Sequence, residues 1–554
     1  MTLPRPAKKG EMVALDLEMF GQDVKRLHRP HGTFACLSIA YSAEEHYQIT
    51  DKADLPKALE RLKSGMWIFH NALYDLRQLR GLCNTPPVSK VWDTMLVERA
   101  MFGGYYNDFS LAGLTRRWLH VYLSKEQQSE FGQAEHMTTE MAEYAIRDAI
   151  STLLIAQAQR HQLDESEDQL RSYWEVDEPA IWAFLDLQPV AIDADGWRKL
   201  AEENDATGVS IQLDLGFNVK SPKQTIEHVE KMTRVHLQDS TKLSLEQLAL
   251  GMRSEGYDSA AEFIEKILEA RSYRDASSKY GMKWLDEYVE EENLVYPDFK
   301  VSGTETSRTS CSSPNVQQIP VRKMPKFREL FVSRHPGGSI IIADQNQQEL
   351  RFLAWFSGDT VLRKALLDGR DLHQEVADDF GLTRRKGKDI NLGLGYGMSA
   401  AGLASRVGIS IEAAEAGIRK RNARYPLAAI WSSNQKSRGA ALGYVTSALG
   451  RRMWINPYLE QWERNAINSP IQSSAAEQTK IWLRLIFDEA KARDLPFAVT
   501  MLVHDELVAD VPKGMVRQYA KLLKETGIES GKMVAPDMEF DVAVAYGPNW
   551  GAKA

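Results

Sequence analysis

Cysteine is nearly missing from this chain. Cys36, Cys83 and Cys311 lie far apart in 554 residues, and none has the spacing of a metal knuckle. A disulfide framework and a structural zinc site are thereby excluded, and the three read as free thiols in a reducing cytoplasm. No apolar run approaches the roughly 20 residues a membrane helix requires. Met1 to Gly10 holds two lysines with no apolar core behind them, because Asp16 and Glu18 interrupt the next hydrophobic stretch. A secretory leader and a membrane partner are therefore not expected. Low-complexity tracts and internal repeats are also missing. An excess of positive charge is lacking too, since the formal net charge is −8. That mean does not favour nucleic acid, but phosphate binding depends on local basic surface. Basic residues cluster at Arg384-Arg385-Lys386-Gly387-Lys388, at Arg419-Lys420-Arg421 and from Arg322 to Arg328. What is present is a globular composition, 43% hydrophobic and 26% charged, on a chain long enough for several domains.

The first 160 or so residues alternate short apolar runs with helical patterns, as an α/β domain does. Met12 to Glu18 reads as a strand, Trp67 to Phe69 as another followed by a helix through Arg80, and Thr138 to Gln159 as a long helix. From about 165 to 300 the pattern is helical and charged. A strand is predicted over Ile340 to Asp344, helices to about 490, and a hairpin from Phe497 to Val511 around His504-Asp505-Glu506.

Residues two apart on a strand share a side, so Asp16 and Glu18 present two carboxylates on one face. Asn71 and Asp75 are four apart on one predicted helix, and Tyr144 and Asp148 on another. Four carboxylates and a phenol are thus carried on three elements that can meet. Clustered carboxylates repel unless cations lie between them, which points to a pair of Mg²⁺ or Mn²⁺ ions. Two such ions about 4 Å apart can activate water and stabilise the leaving oxygen of a phosphodiester. Each piece alone is more often a solvated pair or a half-buried helix residue; their order and spacing shift the balance.

Asp344 ends an isoleucine-rich strand and Asp505 sits at the tip or second arm of the hairpin, so a second two-metal site is available. Glu506, adjacent to Asp505, would point away in regular strand geometry unless a turn intervenes. Between them Arg384, Lys388, Leu392 and Tyr396 recur at intervals of four, a slowly drifting stripe along one helix face. Two cations, an apolar residue and an aromatic suit a nucleotide, although an amphipathic helix with a basic end has the same pattern.

The segments Asp16-Leu17-Glu18, Asn71-Ala72-Leu73-Tyr74-Asp75 and Tyr144-Ala145-Ile146-Arg147-Asp148 resemble the three motifs of the DEDD exonucleases, in the tyrosine-bearing branch. The resemblance implies metal ligation by Asp16, Glu18, Asp75 and Asp148, with Tyr144 orienting the attacking water. From residue 165 onward the chain resembles the family A DNA polymerases. The segments that carry this are Asp344 to Arg351, Arg384 to Gly397, Val503-His504-Asp505-Glu506, Arg308 with Pro314-Asn315-Val316-Gln317, Asp371-Leu372-His373, Gly450-Arg451-Arg452 and Arg464 to Gln472.

By that resemblance Asp344 and Asp505 are metal ligands, joined by the main-chain carbonyl of Gln345, with Glu506 beside them as a weaker catalytic candidate. Arg384, Lys388 and His373 would hold the triphosphate, and Leu392, Tyr396 and Gln347 would complete the dNTP site. Glu349 would lie under the sugar and exclude a 2′-hydroxyl. Arg308, Arg464, Asn468, Gln472 and His504 would contact the minor groove and primer terminus, where correct pairs share acceptors. The sequence departs from the family at Leu392, where Phe or Tyr is common. Gln345 and Asn346 replace a Tyr-Ser pair, and Gln348 replaces an apolar residue. These departures bear on selectivity and rate.

The fold implied is an RNase H-like 3′–5′ exonuclease domain, residues 1–165, followed by a right-hand polymerase, of α/β and α+β class. Its expected parts are connecting helices and thumb at 166–300, palm at 301–358, fingers at 359–440 and the rest of the palm at 441–554. Asp16 lies too near the start for a 5′-nuclease domain, and Pro222 and Thr241 are too close for a large thumb insertion. The expectation is a monomeric polymerase of a bacterial cell or a phage-infected host cytoplasm. It would act on primer–template DNA and dNTPs with two Mg²⁺ or Mn²⁺ ions per active site, and accessory replication proteins are unidentified. Two rival readings stay open: an exonuclease whose polymerase module is degenerate and only grips DNA, and a non-catalytic DNA-binding accessory subunit.

Overall fold

The computed structural model describes residues 3–21, 32–86, 88, 90–123, 130–163, 170–320, 326–395 and 397–552, and omits the side chains of Asp389 and Leu392. Tyr396, the side chain of Leu392 and the segment 321–325 therefore lie outside the described residues.

The first unit is built on β1 (Met12–Phe20), which runs antiparallel to β2 (Thr33–Ala40), itself paired with β3 (His46–Ile49). On its other side β1 runs parallel to β4 (Met66–Phe69), and β4 parallel to β5 (Val91–Asp93), giving the order β3-β2-β1-β4-β5. Val13, Leu15 and Leu17 are at most 2% exposed, because helices and neighbouring strands seal the sheet. These helices include α1 (Ala72–Leu82), α2 (Thr94–Phe102) and α3 (Thr139–Leu163). β1 pairs with β4 only through Ala14, while its pairing with β2 continues to Phe20 with a bulge between Glu18 and Met19. Beyond Ala14 one edge of β1 is therefore left for other partners.

The second unit is built on β6 (Ser339–Gln345), β7 (Val499–Val503), β8 (Glu506–Val511) and β9 (Val542–Gly547), in the order β7-β8-β6-β9 with every pair antiparallel. One face is backed by the 31-residue helix Trp462–Ala492 and by Val516–Val534, through Trp482, Leu483, Leu522 and Leu523. The long helices Ala194–Leu215 and Asp258–Tyr280 pack together, and Lys242–Ser254 packs against the second of them. A second helical group, Leu372–Phe380, Arg384–Gly395, Ala400–Val407 and Ile411–Arg424, packs together. The predicted run of helices to about 490 is broken by a small hairpin, Tyr444–Thr446 with Arg452–Trp454. Two three-residue strands around a turn leave no periodicity to read.

That hairpin joins the units. The Trp454 amide donates to the Gly103 oxygen at 2.9 Å and its indole N–H to the Met101 oxygen at 2.8 Å. A Cβ on Gly104 would stand 2.7 Å from the Trp454 oxygen, and Gly104 has φ +85°, so only glycine fits.

Candidate active sites

In the first unit the structure brings together Asp16, Glu18, Asp75, Tyr144 and Asp148. Asp75 reaches across from α1, where its Oδ1 accepts the Leu17 amide at 3.0 Å. This is the backbone donor that β1 leaves unpaired past Ala14, so the helix carboxylate completes the ladder and is fixed beside Asp16. Asp75, Asp148 and Tyr144 are all buried. Burial, then the charges of Glu18 and Asp148, push the Asp16 carboxyl well up. Burial with Asp148 and Asp75 pushes Glu18 up to about 8, and burial carries Asp148 up to about 6 against the Tyr144 hydrogen bond and Arg147. Asp16 Oδ2 and Asp148 Oδ1 are buried without a hydrogen-bond partner. Among the described residues no three His, Cys, Asp or Glu side chains close into a metal cage. The donors are nonetheless hard oxygens of one sign, which fit a divalent cation.

One expectation is corrected. Asn71 does not share a helix face with Asp75. It precedes α1 with φ 68°, and its amide and that of Ala72 donate to Asp93 at 3.1 and 2.8 Å. Asp93 also caps α2 through Met95 and Leu96. The signal was present in the sequence, since an Asp directly before a helix is a cap, but its second role needed the fold.

In the second unit β6 and β8 set Asp344 directly opposite Glu506, so both side chains leave the sheet on one face. Asp505 occupies the two-residue turn between β7 and β8, and its carbonyl accepts the Gln345 amide at 3.1 Å. Burial and then the Glu349 charge push the Asp505 carboxyl up. Glu349 pairs with Arg308. Glu506 does not point away from Asp344, but its Oε1 is already engaged: the Trp550 indole N–H donates to it at 2.6 Å and Arg328 lies 3.5 Å away. Glu506 is thereby held in place on the face it shares with Asp344. Arg328 lies over the Trp550 ring and is buried, so it contributes nothing to a surface basic patch.

Leu372–Phe380 and Arg384–Gly395 cross at Gly387, where a Cβ would stand 2.2 Å from the His373 oxygen. Contact this close gathers His373, Arg384 and Lys388. Burial and then Lys388 hold the His373 ring below its usual range. Asn391 Nδ2 lies 3.3 Å from His373 Nδ1, and Arg384 pairs with Asp371. On Trp462–Ala492, Arg464 is exposed, Gln472 half-buried, and Asn468 buried with Oδ1 unbonded. His504 is exposed at the turn with φ 62°, and Gln347 has φ 53° with Oε1 buried and unbonded.

The departures in the first palm-like motif have a physical account. The Gln345 side chain turns away from Asp344 and donates to the Gly527 oxygen at 3.2 Å. Gln348 Nε2 donates to Gln478 Oε1 at 3.0 Å, and Gln478 reaches the same Gly527 oxygen. Asn346 donates to Asp541 at 2.6 Å. Amide N–H groups placed where the family has other residues thus find acceptors in the backing helices and beside β9, while Gln345 Oε1 stays buried without a hydrogen-bond partner.

Residues 3–164 match the 3′–5′ exonuclease family, and residues 198–552 match DNA polymerase family A. The chain belongs to DNA polymerase family A and carries a 3′–5′ exonuclease domain. The thermostable DNA polymerase I of Thermus filiformis is 34% identical over 316 residues, covering 52% of this chain and 36% of that protein. DNA polymerase I of Pseudomonas aeruginosa is 26% identical over 590 residues, covering 98% of this chain and 64% of that protein. The chain thus spans between 36% and 64% of the length of these two relatives. The POL domain of Pol1 from M. smegmatis, solved in complex with DNA primer-template and dNTP, matches with TM-score 0.83 over 99% of both chains at 23% identity, which establishes a shared right-hand fold.

Proposed function

We propose that the chain is a template-directed DNA polymerase that adds dNTPs to a primer 3′ end and proofreads with its own 3′–5′ exonuclease, in replication or repair. The observation that supports this most directly is the register that places Asp344 and the Asp505 turn at one end of β6 and β8, beside the Arg308–Glu349 pair. Asp344, Asp505 and the Gln345 carbonyl would hold divalent cations in one site, and Asp16, Glu18, Asp75 and Asp148 in the other. When bound, Mg²⁺ or Mn²⁺ ions, two per site in this reading, neutralise phosphate charge and ease ionisation of the attacking oxygen.

The protein's own groups do the remaining work. Arg384, Lys388 and His373 bind the triphosphate, with Gln347, Leu392 and Tyr396 completing that site. Glu349, held by Arg308, closes the space a 2′-hydroxyl would take. Arg308, Arg464, Asn468, Gln472 and His504 follow the primer terminus and minor groove. In the exonuclease, Tyr144 orients water toward the terminal phosphodiester. The domain division is proposed as exonuclease 1–165, connecting helices and thumb 166–300, palm 301–358, fingers 359–440 and palm 441–554. We read the chain as a monomeric, cytoplasmic polymerase of phage or bacterial type. Among the described residues no helix is long and apolar enough to cross a membrane.

The test uses a labelled primer–template with Mg²⁺, with and without dNTPs. Extension with dNTPs and shortening without them are expected. Asp344→Asn should abolish extension and spare shortening, and the pair Asp16→Ala and Glu18→Ala should do the reverse. Shortening under both conditions would overturn the polymerase reading.

A further inference from the structure

Between the two units lies one π-helical turn, Tyr173–Asp177, whose first and last side chains are fully buried. Such turns occur in proteins most often at functional positions, and this one faces both ways. At one end the Tyr173 hydroxyl accepts the Asp93 amide at 2.8 Å and donates to the Val91 oxygen at 2.9 Å. Asp93 is the residue whose carboxylate holds Asn71 and Ala72, the start of the helix that carries Asp75. At the other end Asp177 pairs with Arg451 and accepts Lys480 Nζ at 2.6 Å.

Lys480 Nζ also lies 2.8 Å from the Ser307 hydroxyl. Ser307 is 2% exposed with φ 57°, and the next residue is Arg308, the partner of Glu349. Asp177 is the one hydrogen-bond acceptor the Arg451 guanidinium reaches among the described residues, because its Nε and Nη1 find none. Asp177, Glu477, Arg451 and Lys480 are all at most 1% exposed. A joint made only to hold two units together needs no buried charge, since well-packed apolar residues are commonly as stable or more so. What the ionic joint adds is direction: it pins one serine in a left-handed conformation, immediately before the arginine that meets Glu349.

We infer that Asp177 and Tyr173 are positioning residues mounted on a single turn. Asp177 sets the Arg308–Glu349 pair of the polymerase site through Lys480 and Ser307. Tyr173 sets Asp75 of the exonuclease site through Asp93. The inference rests on the assignment of the two sites made above.

The experiment compares Ser307→Ala, Asp177→Asn, Asp177→Glu and Tyr173→Phe with the full-length protein, each checked for an unchanged circular dichroism spectrum. Ser307→Ala is expected to raise the dNTP KM and erode the dNTP-over-rNTP preference about tenfold, the scale of a small misplacement. Its degradation of single-stranded DNA stays within about twofold of wild type. Asp177→Asn goes the same way and Asp177→Glu recovers part of the loss. Tyr173→Phe is expected to lower the exonuclease kcat on single strands about tenfold with extension unchanged. Equal losses of both activities in Ser307→Ala and Tyr173→Phe would reduce the turn to a structural joint and overturn the inference. So would an unchanged sugar preference in Ser307→Ala. If Asp177→Asn does not fold, those two milder variants still decide. Failure of the site assignment itself has a different signature, because wild type would then not extend primers or Asp344→Asn would still do so.

Discussion

Gln247, on Lys242–Ser254, donates its side-chain amide to the main-chain oxygen of Ser405, on Ala400–Val407, at 2.9 Å. The helix Lys242–Ser254 therefore touches Ala400–Val407, the proposed thumb meeting the proposed fingers. Beneath the contact lies a cavity of about 760 Å³, with Glu246, Glu265 and Glu269 on the thumb side and Arg385, Lys386 and Arg406 on the fingers side. With Gln247→Cys and Ser405→Cys in a Cys83→Ser background, a short bismaleimide should link thumb to fingers rapidly in the free protein. Exposed charges are screened by salt, so linking should slow as ionic strength rises. Gel mobility under denaturing conditions reads the linked species, and its absence at low salt would contradict the contact.

Gly387 has no room for a side chain. Gly387→Ala places a methyl 2.2 Å from the His373 oxygen and should force the two fingers helices apart, at a cost of about 1–3 kcal/mol. The expected outcome is a raised dNTP KM, with degradation of single-stranded DNA unchanged. Steady-state kinetics of both activities check it.

Four mutually repelling carboxylates lower the stability of the exonuclease unit in the absence of cations. Asp16→Asn should raise the metal-free melting temperature, by an amount corresponding to about 0.5–2 kcal/mol, while abolishing shortening. Adding Mg²⁺ should raise the melting temperature of wild type more than that of the variant. Calorimetry with and without chelator makes the comparison.

Gln348 and Gln478 form a buried pair at 3.0 Å. Gln348→Leu, which returns that position to the apolar type usual in the family, should destabilise by about 1–3 kcal/mol, because Gln478 Oε1 loses its donor. Adding Gln478→Leu should recover much of that. Denaturant unfolding of the two singles and the double closes the cycle.

Glu349→Ala should admit ribonucleotides. A loss of at least about tenfold in dNTP-over-rNTP preference is expected, since a wall rather than a hydrogen bond does the excluding. Single-nucleotide insertion with dATP and ATP measures it.

Much of each site was legible wherever chemistry and local periodicity coincide. Asp16 and Glu18 lie on an alternating strand, Tyr144 and Asp148 one helical turn apart, and Asp344 at the end of an isoleucine run, and each is found on such an element. Asn71 was misread because helical spacing says nothing of a left-handed residue just ahead of the first turn. Glu506 was read from strand alternation alone. Its tie to Trp550 joins residues 44 apart and depends on how the chain end folds under the sheet. The Asp177–Arg451–Lys480 cluster had no local signal, because Asp177 lies 274 and 303 residues from its two partners and each alone looks like a surface charge. The acceptors of Gln345 and Gln348 on the backing helices lie more than a hundred residues away, beyond any local pattern.

The seam at Trp454 has a consequence for editing. Its backbone and indole are both bonded to the end of α2, and Gly104 lies too close for any slack. The exonuclease sheet is therefore moored to the Tyr444–Trp454 hairpin, with no hinge at that point on which to swing. In a proofreading polymerase built this way the traveller would be the DNA. Under the proposed function, editing would then keep time with the breathing of the last few base pairs, with the protein as the stationary bank on either side.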